Sequence, residues 1–372
     1  MKTMNYLFIC CLCFFSVNLI AQDYEIYVSD AGNYNNPPWQ IVKYDMNGEN
    51  PVAFIDTLIV WPQDILFLEE DGIVLISNLT GNGYISKHDI ETGEYLGNFA
   101  EGINGPTRMK IGPDNLLYVL QWYNGNNKVL RYQLDGTFVD EFTSIGVPSS
   151  IGLDWDAAGN LYVSTYYGKY VQKFDTDGND LGAFINTNLS GPTNIWFDEN
   201  GDLLVNDYLG ASVKRFNSDG EYQGQFITGL FYPEGVAYLD NGNILIGNGG
   251  THAVKMFDSN GNFLEDIVAS GLGGLITPNA VVIREVPAVK VPENRLKTGL
   301  VIPSVGKAFY LNQRVGEDLS EITVFDITGN LVESAKPKSN LIWNADNHSN
   351  GVYFLLLQFR DGSQLTQKVV VR

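Results

Sequence analysis

Six prolines in this chain are each followed, within two residues, by side chains that can do chemistry. Gln63 and Asp64 follow Pro62, Thr107 and Arg108 follow Pro106, and Ser149 and Ser150 follow Pro148. Thr193 and Asn194 follow Pro192, Glu234 follows Pro233, and Asn279 follows Pro278. Carboxylates, amides, hydroxyls and one guanidinium form a set that can read a ligand by hydrogen bonds. A second set is aromatic: Trp39, Trp61, Trp122, Tyr123, Tyr166, Tyr167, Tyr208, Phe231 and Tyr232. Ring faces stack on apolar surfaces while polar groups between them read edges, which suits a small carbohydrate or a peptide.

The elements that must position these residues recur at one period. The six prolines are spaced by 44, 42, 44, 41 and 45 residues. Turn glycines at Gly48, Gly93, Gly136, Gly178, Gly220 and Gly261 are spaced by 45, 43, 42, 42 and 41. A third marker is the strand ending in "YVSD", "LISN", "YVLQ", "YVST", "LVND" and "LIGN". Each unit holds four short apolar runs separated by Asn-Gly or Asp-Gly turn chemistry, which is one propeller blade. The register predicts how the ring closes. Three strands lead the chain without an inner strand, and "NAVVIRE" after Pro278 is an inner strand without followers. Together they complete a sixth blade, so the fold class is all-β, a six-bladed β-propeller closed by its two ends. Closure removes exposed sheet edges. "DTDGND" at 175–180 faintly resembles a calcium loop, but it occupies the turn slot of "LDGT" and "SDGE".

Strand direction places the loops between second and third strands, and the connections between blades, on the face where the prolines lie. Both residue sets meet there, with the polar positions at the mouth of the central channel. The bland alternative is that the rings cap the blades and the polar groups satisfy one another over a water-filled channel.

The pattern Pro-x-x, apolar strand, Asp-x-x-Gly-Asn, "LYVS" and "VQKFDTDG" resembles NHL repeats and the gluconolactonase-like six-bladed propellers over about residues 24–285. That resemblance implies the fold; propellers host many unrelated activities. Gluconolactonase-like propellers hold a divalent cation with Glu, Asn and Asp from inner-strand starts. Asn279 matches the Asn type by slot, while Glu234 and Asp64 supply carboxylates out of the family's order, and the Glu-Gly-Pro opening is missing. A catalytic zinc wants about three protein ligands, often His. Of three histidines only His252 falls on the proline face; His88 is on the far face and His348 in the tail. A Ser150–His252–Asp64 triad would draw on separate blades.

Charge and targeting bound the partners. Residues 22–292 hold 13 basic and 35 acidic side chains, against 9 and 8 in residues 293–372. Such an acidic surface repels nucleic-acid phosphates and anionic lipid headgroups. Lys2 followed by "LFICCLCFFSVNLIA" reads as a signal peptide over residues 1–21, cut after Ala21. The run is shorter than the roughly 20 residues of a membrane span, and no later segment is long and apolar enough, so the mature chain is expected to hold none. Cys10, Cys11 and Cys13 all lie in the signal, leaving the mature chain without thiols or disulfides.

The propeller is expected over residues 22–286 and a linker over 287–298. Residues 299–372 read as a small β-sandwich, with "ITVFDITGNLV" and "NGVYFLLLQF". This pair resembles the C-terminal sorting domain of type IX secretion, although "VIPSVG" stands where the family has a Tyr-Pro-Asn-Pro-like opening. The resemblance implies the type IX machinery as a partner and a secreted or outer-surface location. The alternative is an accessory β-domain. The sequence favours a recognition module for polysaccharide, peptide or a surface partner. The runner-up is a calcium-assisted lactonase-like hydrolase or lyase, and a purely structural adhesive role stays open. No cofactor is certain; calcium is the candidate.

Overall fold

The computed structural model describes residues 24–34, 36–80, 82–123, 125–285, 301–311, 319–336, 341–360 and 364–372. The expected signal segment and the 287–298 linker lie outside the described residues. The chain divides into two compact units, Met1–Ala288 and Val289–Arg372.

The first unit is six four-stranded antiparallel sheets among the described residues, a six-bladed propeller. Its inner strands are Pro278–Glu285 in blade one, then Pro62–Leu68, Pro106–Ile111, Ser150–Trp155, Pro192–Phe197 and Pro233–Tyr238 in blades two to six. Proline opens five of these strands, where a missing N–H costs no ladder bond. Blade four differs, since Pro148 stands two residues ahead of Ser150.

Blade one closes the ring in the expected register. Tyr24–Asp30 pairs antiparallel with Pro278–Glu285, Ile26 opposite Ile283 and Val28 opposite Val281. Ile26, Val28 and Val281 are buried. Arg284 then locks this inner strand onto blade two. Its guanidinium donates to both oxygens of Glu69 at 2.8 and 3.2 Å and to Glu91 at 2.6 Å, and lies over the Phe67 ring.

The repeated markers have a packing cause. All six turn glycines have positive φ, but the tighter constraint is contact with the preceding blade. A Cβ on Gly93, Gly136, Gly178, Gly220 or Gly261 would stand 2.1–2.5 Å from the carbonyl oxygen of Phe54, Phe99, Phe142, Phe184 or Phe226. On Gly48 it would stand 1.9 Å from the oxygen of Ile267, in blade six. The sixth contact of the series is therefore made across the closure. The turn carboxylates are consumed locally. Asp175 Oδ1 accepts the N–H groups of Asp177 and Asn179, and Oδ2 accepts the Asn179 amide. The same bonds recur at Asp45, Asp156 and Asp258, so "DTDGND" is a turn of the scaffold.

The last residue of the second strand carries the third marker. Asp30, Asn78, Gln121, Asp207 and Asn248 are buried and accept backbone N–H bonds from the segment leading into an inner strand. Asp30 receives Thr277 at 2.8 Å, Asn78 receives Val60 at 2.7 Å, and Gln121 receives Asn104 at 3.1 Å. Asp207 receives Gly191 at 2.6 Å, and Asn248 receives Phe231 at 2.6 Å. Blade four is again the exception, since the hydroxyl of Thr165 is buried without a partner among the described residues.

The second unit is a β-sandwich. A three-stranded sheet of Val301–Ile302, Ala308–Leu311 and Leu341–Asn344 faces a five-stranded sheet that includes Leu319–Asp326 and Gly351–Phe359. Phe309 and Trp343 stack at 5.6 Å in a core shared with Val324, Leu355 and Leu357. In "ITVFDITGNLV" the turn is held by Asp326, which accepts Thr328 and Asn330 and is pulled down to about 2 by those bonds. No helix among the described residues is long and apolar enough to cross a membrane.

Deleting residues 279–285 removes the closing inner strand, with ladder bonds worth about 1 kcal/mol each and the burial of Val281 at about 1.5–3 kcal/mol. The opened edges of Tyr24–Asp30 add to that loss. Because a whole domain is stable by only about 5–15 kcal/mol, the variant is expected to aggregate or melt without a cooperative transition in circular dichroism. A soluble variant with a sharp melt would contradict the closure.

Candidate functional site on the proline face

The channel is spanned by one side chain. Arg108, on the inner strand of blade three, is 4% exposed and reaches three other blades. Its Nε donates to Asn194 Oδ1 at 2.9 Å in blade five. Its Nη2 donates to Glu234 Oε1 at 3.0 Å in blade six and to the Asn279 carbonyl at 2.6 Å in blade one. Nη1 is buried with no partner among the described residues. Blade two joins through Asp64, whose carboxylate accepts the N–H of Ile65 at 3.0 Å and of Met109 at 2.8 Å. The polar positions after the prolines therefore meet, as a fixed layer across the channel.

That layer separates two spaces. Toward the prolines lies a cleft of about 380 Å³ whose lining includes Gln63, Glu234 and Asn279. On the other side a smaller cavity of about 240 Å³ is lined by Asp64, Arg108 and Asn194 together with Lys110 and Trp196. The sequence set is thus divided: Gln63, Thr193, Glu234 and Asn279 face the cleft, and Asp64, Arg108 and Asn194 face away from it.

The cleft walls are aromatic. Tyr34, Trp61, Trp122, Tyr166, Tyr167, Tyr208 and Tyr232 line it, with Leu79, Ile151 and Leu209 between them and Thr193 at the floor. Trp122 contacts Tyr166 and Tyr167 at 5.7 and 5.4 Å, Tyr166 meets Tyr208 edge-on at 5.9 Å, and Tyr208 stacks on Tyr232 at 4.7 Å. Tyr34, from the long first loop of blade one, crosses to share a hydroxyl hydrogen bond of 2.8 Å with Tyr208 in blade five, and stands edge-on to Trp61. Tyr34, Trp61 and Tyr232 all have left-handed backbones, φ 59°, 44° and 57°. They are the three Phe, Tyr or Trp residues with positive φ among the described residues. A bulky side chain pays for that conformation, and such strain concentrates at ligand sites.

Of the expected aromatic residues Trp39, Tyr123 and Phe231 do not line the cleft, and neither does His252. Tyr123 packs against Gly105 at the foot of its loop, its carbonyl accepting the Asn127 amide. His252 is exposed on the rim, itself in a left-handed conformation, with Nδ1 2.5 Å from the Ile276 carbonyl. Tyr34 was not among the expected residues. Its signal in the sequence is the unusual length of "AGNYNNPPWQ" between two strands of one blade.

Electrostatics single out Glu234. Burial pushes its carboxyl up to about 7, with Asp64 adding to the rise and Arg108 opposing it. Asp64 is likewise raised by burial, against the pull of Arg108. The expected calcium ligands do not form an open set. A guanidinium already neutralises Glu234, Asp64 spends its oxygens on backbone N–H groups and faces the other cavity, and the Asn279 amide donates to the Pro62 carbonyl at 3.2 Å. A dication would have to sit against Arg108. Among the described residues no group of three His, Cys, Asp or Glu side chains is placed to hold a metal.

Comparison with known proteins agrees with both units. The first resembles a chain of a nidogen/laminin complex, with a TM-score of 0.56 and 15% identity over 70% of this chain and 98% of that one. It also resembles a protein of unknown function from Bacteroides caccae, with a TM-score of 0.52 and 18% identity over 70% and 98%. A candidate 6-phosphogluconolactonase from Bacteroides fragilis gives a TM-score of 0.51 and 12% identity over 71% and 99%. At these identities the likeness is one of fold. No curated protein matches the chain in sequence. Residues 305–372 match the family described as a secretion system C-terminal sorting domain. The chain is a six-bladed β-propeller carrying the C-terminal sorting domain of type IX secretion.

Proposed function

We propose that the propeller is an exported recognition module whose ligand binds in the aromatic cleft of the proline face. The observation that carries this reading is the cleft itself: seven aromatic rings over a polar floor, three of them held on strained backbone. Its volume is in the range of about 300–1,000 Å³ that suits a small ligand or a short segment of a polymer. Tyr167, 70% exposed, Leu209 and Phe231 extend the apolar surface beyond the cleft edge. The sorting domain supports release or display at the outer surface, where polysaccharide, peptide and surface partners are met.

A second reading has one specific support. A carboxyl held near neutrality in a cleft is suited to general acid–base catalysis, so Glu234 would be the proton carrier of a hydrolase or lyase. The surroundings favour binding. Among the described residues no His, Cys, Ser or Lys lines the cleft, and the Thr193 hydroxyl is engaged with the carbonyls of Asn206 and Pro233. Glu234 is also tied to Arg108 as part of the scaffold.

Three outcomes test these readings. On an array of bacterial polysaccharides and peptides, Tyr167→Ala and Trp122→Ala are expected to lose about tenfold in affinity for whatever the native protein captures. Because Tyr167 packs in no core, its melting temperature should not move; unchanged binding in both variants would place the ligand elsewhere. Ending the chain at Lys297 is expected to leave a folded propeller that does not reach the medium or outer surface, measured by fractionation and immunoblot. Equal export of the short form would remove the sorting role.

The last outcome is a pH dependence. The unfolded Glu234 titrates near 4.5 and the folded one near 7, so between those values the folded state holds the extra proton. Stability from this group therefore falls as pH rises from 4.5 to 7, and the penalty is complete above 7. Glu234→Gln mimics the protonated form. It should match the native melting temperature near pH 4.5 and gain on it with rising pH, by on the order of 3 kcal/mol in all. Parallel curves for the two proteins would show that Glu234 titrates normally.

A further inference from the structure

We propose that the group bound in the cleft is an organic ammonium, a protonated or quaternary amine held among the ring faces above Glu234. The inference rests on the cleft being a recognition site and names its ligand class.

Three observations carry it. First, among the described residues that line the cleft Glu234 is the one charged side chain, and it is an acid. Second, the rings do not form a flat platform of the kind a sugar face stacks on. Trp122 is tilted by 50° to both Tyr166 and Tyr167, Tyr166 stands at 79° to Tyr167 and at 71° to Tyr208, and Tyr34 at 71° to Trp61. Rings set at such angles around one volume form a cage, and the negative face of each ring attracts a cation. Third, the nearby cations, Arg108 and Lys110, line the cavity on the other side of the layer and not the cleft. Arg108 lies in the layer beneath the cleft, paired with Glu234, and Asp64 adds a second carboxylate. At the rim Lys169 is exposed and is not among the lining residues. Residues 22–292, with 35 acidic against 13 basic side chains, add a field that draws cations and excludes anions.

The same chemistry could be offered by a free amine or by a lysine side chain on a peptide, and the test separates the two. The full mature chain is titrated, at fixed ionic strength and pH 8, with choline and with its uncharged tert-butyl isostere. A second pair of probes is N-acetyl-lysine amide and N-acetyl-norleucine amide. Binding is read from tryptophan fluorescence and from proton NMR of the probe. We expect each cation to bind at least about tenfold more tightly than its neutral partner. Trp122→Leu, which removes a ring face, should weaken each cation more than its neutral partner and so erase most of that preference. Glu234→Gln should reduce it as well, with the melting curve confirming the fold. Tighter binding of choline would point to a free amine and tighter binding of the lysine amide to a protein-borne one; either supports the inference. Neutral probes binding as well as cations, no binding of either cation, or a preference that survives both substitutions would overturn it. In each of those cases the array experiment still decides whether the cleft is a recognition site.

Discussion

The centre of this molecule is held by one guanidinium. Arg108 starts in blade three and bonds to blades five, six and one, so the inner strands are joined across the channel as well as around it. The cost of burying its charge is met by Glu234, the Asn194 amide oxygen and the Asn279 carbonyl. Truncating Arg108 would strand the Glu234 and Asp64 carboxylates, and a buried charge left without its partner costs about 3–5 kcal/mol. The polar layer therefore fixes where the floor of the cleft lies and which groups it shows. Glu234 and Asn279 face the aromatic side because Arg108 and Asp64 are committed to the other.

Above that floor, the loops are held by the ends of the second strands. Asp30, Asn78, Gln121, Asp207 and Asn248 each accept backbone N–H bonds from the segment entering an inner strand. A segment tied at its base can place an aromatic residue on strained backbone, as at Trp61 and Tyr232, because the anchoring bonds offset the strain. The wall of rings depends on these buried acceptors, although none of them lines the cleft. Where the acceptor is lost, at Thr165, the inner strand is also the one that opens without proline, on Ser150.

The sequence carried the ring plainly, because closure imposes one geometry on every blade. Proline, turn glycine and strand-end acceptor recur since each makes the same contact with a neighbour, and Gly48 against Ile267 shows that even the closing contact obeys the rule. The three-plus-one closure could be read for the same reason. The site was legible only in part. Strand direction placed Trp122, Tyr166, Tyr167 and Tyr208 on one face correctly, yet it could not tell Tyr123, at the foot of its loop, from its neighbour Trp122. Nor could it show that Asp64 and Glu234 face opposite sides of one layer, which depends on how far each side chain sits along its strand. Tyr34 escaped because its loop is an insertion belonging to blade one alone, with no repeat against which to align it.

The glycine contacts all point the same way around the ring, each blade's turn resting on the outer strand of the blade before it. In the language of assembly, this is a head-to-tail interface, and such an interface has no built-in count: it adds units until geometry happens to return to the start. Duplicating one 42-residue unit in the gene would preserve every blade-to-blade contact of this kind. What it would break is Arg108, because a side chain has a fixed reach and a wider ring would carry Glu234 and Asn279 away from it. The pairwise contacts let blades join, and the single residue that spans the diameter has a reach that fits a ring of six.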